Sequence, residues 1–305
     1  MDDVKELILS KKEYMEIFDS IIIKNKLWNK FRGPNEIFRW LGNFDKEEVY
    51  FALKLANNIS YYYKDQIKYL YSLILNKEVK LFLLSRSSES EYISDIEGWF
   101  QRYLQDKCIF IGYGQAGDSG QHMVYTFKKS HKIRFLNYME LSQFLTLSED
   151  DIVNKEVVFL LDDFVGSGNQ AINNWNSDVA GKSFRSISEE YPHLQFVYLV
   201  LVGFKEGKEK IEGELPIKVI IGDELDETCK CFSDTSIIFE EPSERNNAKN
   251  VMVVKGKKLV PRMPLGFNNM QSVVAFDHNT PNDSLPVIWV NKSDGSWCPL
   301  FERSS

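Results

Sequence analysis

Two hydrophobic patterns divide the chain. Over the first 77 residues apolar positions recur at helical spacing, with Val4, Leu7, Ile8, Met15, Ile17, Phe18, Ile21 and Ile22 marking residues 1–30. A turn at Gly33-Pro34 precedes a short helix within FRGPNEIFRWLGNF. Asp45, with acidic residues behind it, reads as the N-cap of the helical stretch DKEEVYFALKLANNISYYYKDQIKYLYSLILNK, broken near Asn57-Asn58. No catalytic constellation stands out here, and the region reads as a helical layer or cap.

After about residue 78, short apolar runs alternate with polar or helical stretches. They are VKLFLL (79–84), CIFIGY (108–113), KIRFL (132–136), VVFLL (157–161), FVYLVLVG (196–203), IKVII (217–221), SIIF (236–239), SVVAF (272–276) and PVIWV (286–290). Several are continuous and β-branched, as strands buried on both faces of a parallel sheet are. Helices are predicted between them at 119–129, 170–180 and 205–213. The pattern predicts an α/β fold with a mainly parallel, Rossmann-like sheet. It also predicts a division into a helical N-terminal region (1–77) and an α/β domain with a C-terminal extension (78–305).

Charge narrows the partners. Lysine and arginine number 37 against 44 aspartates and glutamates, a net charge of −7. That disfavours bulk electrostatic binding of nucleic acid, which needs a basic surface. KKSHKIR (128–134) and the stretch from Lys249 to Arg262 are local basic segments, each a solvated face or an anion contact. No run is long and apolar enough to span a membrane. The start MDDVKELILSKKEY is charged, unlike a secretory signal. Cys108, Cys229, Cys231 and Cys298 form no CxxC pair. Free thiols in a reducing cytoplasm are expected.

The chemistry concentrates at VVFLLDDFVGSGNQ. An apolar strand leads into Asp162 and Asp163, and Gly166, Ser167, Gly168, Asn169 and Gln170 then form a small-residue loop entering a helix. In parallel α/β sheets ligands sit beyond the carboxyl ends of the strands. Adjacent carboxylates there suit vicinal hydroxyls, or water around a divalent ion. A loop opening a helix offers N–H groups and a favourable dipole to a phosphate. The combination describes a site for a sugar phosphate. Two other nucleotide motifs are absent: there is no GxxxxGK[ST], and the third glycine of GxGxxG is missing. A plain βα turn with an N-cap is the bland alternative.

The order of apolar run, Asp-Asp, two apolar residues and a small-residue loop resembles the ribose-phosphate motif of type I phosphoribosyltransferases. The resemblance implies that fold. It also implies that Asp162 and Asp163 meet the ribose hydroxyls of phosphoribosyl pyrophosphate, and that Gly166 to Gln170 hold the 5-phosphate. Gly166, Asn169 and Gln170 depart from the usual Thr/Ser- and Gly-rich loop. The wording DDFVGSGNQ is closer to phosphoribosyltransferase-like proteins of bacterial conflict and anti-phage systems, some of which accompany retron reverse transcriptases. Two further stretches fit that branch. In IGYGQAGDSGQHMVYTFKK, Asp118, Ser119 and Gly120 fall where the pyrophosphate loop belongs, with Lys128 and Lys129 on the following helix. Near the end, HNTPN (278–282) is followed by Pro286 and Trp289, then by Trp297 and Pro299 to Phe301. His278 and Asn279 are candidates there for acid/base chemistry or acceptor contact, or for ordering a turn.

The resemblance implies Mg²⁺ carried by the substrate rather than by protein ligands. Three functions follow as expectations. The first is glycosyl transfer from phosphoribosyl pyrophosphate or a nucleotide. The second is a module that keeps the pocket without transfer, to sense a nucleotide or hold a partner. The third is a subunit working beside a reverse transcriptase and its nucleic acid.

Overall fold

In the computed structural model the described residues are 2–31, 33–87, 93–114, 119–130, 138–179 and 181–303, with backbone alone for 119–122 and 129–130. The chain opens with helices α1 (Asp2–Ser10), α2 (Lys12–Trp28), α3 (Pro34–Leu41) and α4 (Val49–Asn57), then a short strand β1 (Ser60–Tyr62). A long helical segment follows: α5 (Lys64–Leu73), a π-helical stretch Ile74–Val79, and α6 (Lys80–Arg86). Next come α7 (Ile96–Lys107), β2 (Cys108–Gly112), α8 (Ser119–Ser130), β3 (Tyr138–Met139), α9 (Leu141–Phe144) and α10 (Glu149–Ile152). They are followed by β4 (Val157–Val165), α11 (Asn169–Asn176), α12 (Phe184–Glu190), β5 (Gln195–Phe204), α13 (Lys205–Glu214) and β6 (Ile217–Leu225). The last regular elements are α14 (Pro242–Leu259), β7 (Val274–Phe276) and α15 (Pro286–Trp289). Among the described residues no helix is long and apolar enough to cross a membrane. All four cysteines are free thiols.

The chain divides into two compact units: residues 1–64 with 226–305, and residues 65–225. Residue 77, where the hydrophobic pattern changes, falls inside the second unit, within the helical segment Lys64–Arg86.

The second unit is a three-layer α/β structure. Its five strands run in the order β3-β2-β4-β5-β6, every pairing parallel. Numbered along the chain within the sheet, this is 2-1-3-4-5, a doubly wound order whose switch point lies between β2 and β4. β4 is buried along all nine residues. Strand alternation sends its side chains to two different cores. Val158 and Leu160 join Trp175, Phe184 and Phe196 on one face. On the other, Phe159 stacks on Phe110 at 4.9 Å, and Phe127 of α8 packs against Phe110 and against Tyr71 of α5.

In the first unit the two ends of the chain fold together. β1 pairs parallel with β7, Ser60 opposite Val274 and Tyr62 opposite Phe276. Trp40 donates its indole N–H to the Val287 carbonyl at 2.8 Å. Lys255 of α14 reaches Glu48 at 2.7 Å and Asp45 at 3.2 Å.

Several sequence expectations are corrected. VKLFLL is helical, because Ile67, Leu70, Tyr71, Ile74, Leu75, Val79 and Leu83 form one buried helical stripe. A short apolar run alone does not distinguish strand from buried helix. PVIWV is α15, with Pro286 at its first position, where proline's missing N–H is harmless. SIIF is irregular, with Ile237 exposed. Only Val274–Phe276 of SVVAF forms a strand, and it lies outside the five-stranded sheet. The run KIRFL lies outside the described residues. Asp45 does not cap α4: that helix starts at Val49, and Asp45 instead opens a turn, accepting from the N–H of Glu48.

Trp175 is fully buried, stacked on Phe184 and edge-on to Phe196. Trp175→Ala is expected to destabilise the protein by about 3–5 kcal/mol in denaturant unfolding. Val153→Ala, at an exposed position, is expected to stay within about 0.5 kcal/mol of wild type.

Candidate functional site

The switch point gathers the chemistry-bearing residues of the second unit. β2 ends at Gly112 opposite Leu161, and the N–H of Tyr113 extends the ladder to the Leu161 carbonyl at 2.8 Å. The next residues of β4 are Asp162 and Asp163. The strand does not end before them, as the apolar run VVFLL predicts; it continues to Val165, so both carboxylates are strand residues. Asp162 is only 8 % exposed and Asp163 only 7 %.

Buried carboxylates need hydrogen-bond donors. Tyr198 of β5 donates its hydroxyl to Oδ2 of Asp162 at 2.7 Å, and the backbone N–H of Asp163 reaches Oδ1 at 2.9 Å. Alternation along the strand sends the two carboxylates to opposite faces. Asp162 shares its face with Tyr198 and Tyr113, whose rings meet edge-on at 5.0 Å. Asp163 lies on the face of Tyr71. Tyr113 donates its hydroxyl to the Ala171 carbonyl in α11 at 2.6 Å, and Tyr71 donates to the Met123 sulfur. Burial, then the negative field of the aspartates, raises the hydroxyl pKa of all three tyrosines well above the usual tyrosine value. They therefore stay protonated donors at neutral pH.

The loop after β4 is fixed by close backbone approaches. Gly168 has φ +78°, in the left-handed region, and its carbonyl accepts the Ile172 N–H as α11 begins. Gly207 of α13 packs directly on the loop: a Cβ there would sit 2.0 Å from the Gly166 carbonyl oxygen. Ser167 Oγ accepts from the Asn169 N–H at 3.5 Å, and Lys210 of α13 donates to the Asn169 side chain. A cation therefore stands beside the N-terminus of α11, where the helix dipole favours an anion.

A cavity of about 650 Å³ opens at the carboxyl end of β2. Gly112, Tyr113 and Gly114 line it, with Tyr125, Lys128, Tyr138 and Gln143 among the other walls. Neither aspartate lines it. The carboxylates and the cavity are connected through Tyr113, which forms wall on one side and touches Tyr198 on the other.

The fold thus brings Asp162, Asp163, Gly166, Ser167, Gly168, Asn169 and Gln170 together at one strand end. Ser119 and Gly120 open α8, which follows the adjacent strand β2. Asp118 lies outside the described residues. His278 and Asn279 belong to the first unit. There the His278 ring packs on Phe276 at 5.4 Å, and the Asn279 carbonyl accepts the Phe276 N–H at 2.8 Å. His278 also lines a separate cleft of about 870 Å³ with Lys30, Asp277, Trp289 and Arg303. Sequence reasoning missed Tyr71, Tyr113, Tyr198, Gly207 and Lys210. The one available signal was the tyrosine inside the otherwise aliphatic run FVYLVLVG, since a buried hydroxyl needs a partner.

Gly207→Ala is expected to destabilise the protein by about 1–3 kcal/mol, because the added methyl strikes backbone rather than a movable side chain. Gly213→Ala in the same helix meets nothing within 4 Å. It should be neutral or stabilising by up to about 1 kcal/mol. Thermal unfolding of the two variants separates these outcomes.

Comparison with known proteins identifies the family. No curated protein matches the chain. The model of the PRTase-CE family matches residues 37–303. The chain belongs to the PRTase-CE family and is a phosphoribosyltransferase-like protein.

Proposed function

We propose that the protein binds a ribose carrying a 5-phosphate, as phosphoribosyl pyrophosphate or a nucleotide, at the carboxyl end of β4. One observation carries this reading. Two buried carboxylates stand at the topological switch point, directly ahead of a glycine-tight loop that opens α11. Carboxylates accept hydrogen bonds only, so they select a ligand that donates, such as one bearing sugar hydroxyls. The loop N–H groups, the start of α11 and Lys210 select an anion.

For glycosyl transfer, positive charge develops at C1 and the ring oxygen as the pyrophosphate departs. The fixed negative charge of Asp162 and Asp163 favours that charge, and the low exposure of both carboxylates strengthens the interaction. Ser119 and Gly120, at the start of α8, are assigned to the pyrophosphate. The oxygen-only donor set of the aspartate pair fits Mg²⁺. Both oxygens of Asp162 already hold a donor, so the pair suits an ion reached through water and carried by the ligand. When bound, Mg²⁺ neutralises charge on the departing pyrophosphate.

We further infer service as an effector or accessory subunit of a bacterial anti-phage system such as a retron, beside a reverse transcriptase and its nucleic acid. The support is the resemblance of DDFVGSGNQ and HNTPN to that branch of the family. A second reading is a pocket that binds without turnover, serving as a sensor or scaffold. The donor that each oxygen of Asp162 already holds from its own chain favours it.

Calorimetric titration with phosphoribosyl pyrophosphate and Mg²⁺ is expected to show saturable binding. Asp162→Asn/Asp163→Asn should lose it while unfolding cooperatively like wild type. Absence of binding to folded wild-type protein would refute the ribose-phosphate reading. In cells carrying the intact defence locus, the same double variant should lower protection in a phage plating assay. Unchanged protection would mean the pocket is not used.

A further inference from the structure

We propose that Tyr198 is a positioning residue for Asp162, and that Tyr113 braces it against the helix of the phosphate loop. The inference rests on the ribose-phosphate reading above and deepens it by dividing the labour between the two aspartates.

Register makes the contact possible. Tyr198 lies opposite Leu160 and Val200 lies opposite Asp162. Tyr198 and Asp162 therefore share a face of the sheet, displaced by two residues along the strand. Two residues of strand rise about 6–7 Å, a span a tyrosine ring and its hydroxyl can bridge. The ring has little alternative. It is 1 % exposed, packed in the core that includes Trp175 and Phe196, and held edge-on by Tyr113. Tyr113 is itself tied down by its bond to the Ala171 carbonyl.

With Tyr198 on Oδ2 and the Asp163 N–H on Oδ1, both oxygens of Asp162 are fixed from its own chain. A carboxylate oxygen can accept more than one hydrogen bond, so these two donors fix the orientation in which Asp162 meets any further donor. The carboxylate thereby presents a preset acceptor geometry to a ligand hydroxyl. Such preorganisation spares the ordering cost at binding. Tyr113 adds a connection. It contacts Tyr198, anchors to the first turn of α11 and walls the cavity beside β2. The position of the ribose acceptor and the position of the phosphate loop are thus set by one pair of tyrosines. A tyrosine serving only to fill the core would be replaceable by phenylalanine without effect on ligand affinity.

The test is calorimetric titration of full-length wild type, Tyr198→Phe, Tyr113→Phe, Asp162→Asn and the Tyr198→Phe/Asp162→Asn double variant. Phosphoribosyl pyrophosphate with Mg²⁺ is one probe, and inorganic pyrophosphate with Mg²⁺, which lacks the ribose, is the other. Tyr198→Phe is expected to weaken the first ligand by roughly tenfold, the scale of one hydrogen bond to a charged group. It should leave pyrophosphate unchanged, and it should add nothing once Asp162 is already asparagine. Tyr113→Phe should weaken the first ligand by a smaller factor. Equal affinity of wild type and Tyr198→Phe for phosphoribosyl pyrophosphate would overturn the inference and leave the ribose-phosphate reading standing. An equal loss on both probes, or full additivity with Asp162→Asn, would reduce Tyr198 to a packing residue and also overturn it. Wild type that binds neither probe would remove the ribose-phosphate reading and this inference with it.

Discussion

The second unit is organised around the burial of two carboxylates at the end of its central strand. Taking an ionised carboxylate out of water is opposed by several kcal/mol unless donors replace the lost hydration. For Asp162, β4 meets that requirement with elements the fold brings alongside it. β5 supplies the Tyr198 hydroxyl, and the strand's own backbone supplies the Asp163 N–H. The order of the sheet follows the same logic. Only a strand flanked on both sides, here by β2 and β5, can hold polar side chains in a covered environment and still direct them to the open strand ends. Moving β4 to the edge would hydrate the aspartates and remove both the constraint and its use.

That requirement explains which parts of the site were legible in the sequence. The motif itself was local: a run of apolar residues, two acids and small residues within fourteen positions. It pointed to the end of β4, the central strand of the sheet, because parallel sheets bury their strands on both faces. The tyrosines around Asp162 were not legible: Tyr198, its donor, lies 36 residues away in the sequence and meets it through register, and Tyr113, 49 residues away, is linked to it by way of Tyr198. The helices around the sheet were read well where amphipathic spacing was clear, as at 119–129 and 205–213. VKLFLL misled because its apolar density satisfies strand and helix alike. The stripe from Ile67 to Leu83 decides for helix only when the π-helical stretch Ile74–Val79 is allowed for, since that stretch shifts the spacing by one residue.

The first unit was less legible for a topological reason. Its core joins residues near both ends of the chain, with Trp40 bonded to Val287 and β1 laddered to β7 across more than two hundred residues. Local periodicity carries no information about such pairings. In chain order the sheet-bearing unit is an insertion into this other unit, a common arrangement where the termini of the inserted part lie close together. Lys255 illustrates the difference between a charge run and its members. The basic stretch from Lys249 to Arg262 reads as a solvated face, yet Lys255 is buried, and its pKa is raised by Glu48 and Asp45 against the opposing effect of burial. A side chain from the basic segment thus serves the core of its own unit.

The loop after β4 bears on the departures from the usual phosphoribosyltransferase wording. Loops rich in threonine can order themselves by side-chain hydrogen bonds to their own backbone. Here glycine stands at residue 166, and beside the Ser167–Asn169 bond much of the order comes from outside the loop. α13 lies so near that neither Gly207 nor Gly168 tolerates a Cβ, and Lys210 fixes Asn169 from the same helix. Because α13 connects β5 to β6, the strand that carries Tyr198 leads directly into the helix that clamps the loop. The Asp162 carboxylate and the loop after β4 are consequently positioned by one β-α-β segment. A change in the packing of β5 moves both together, whereas a loop ordered by its own side chains would respond alone.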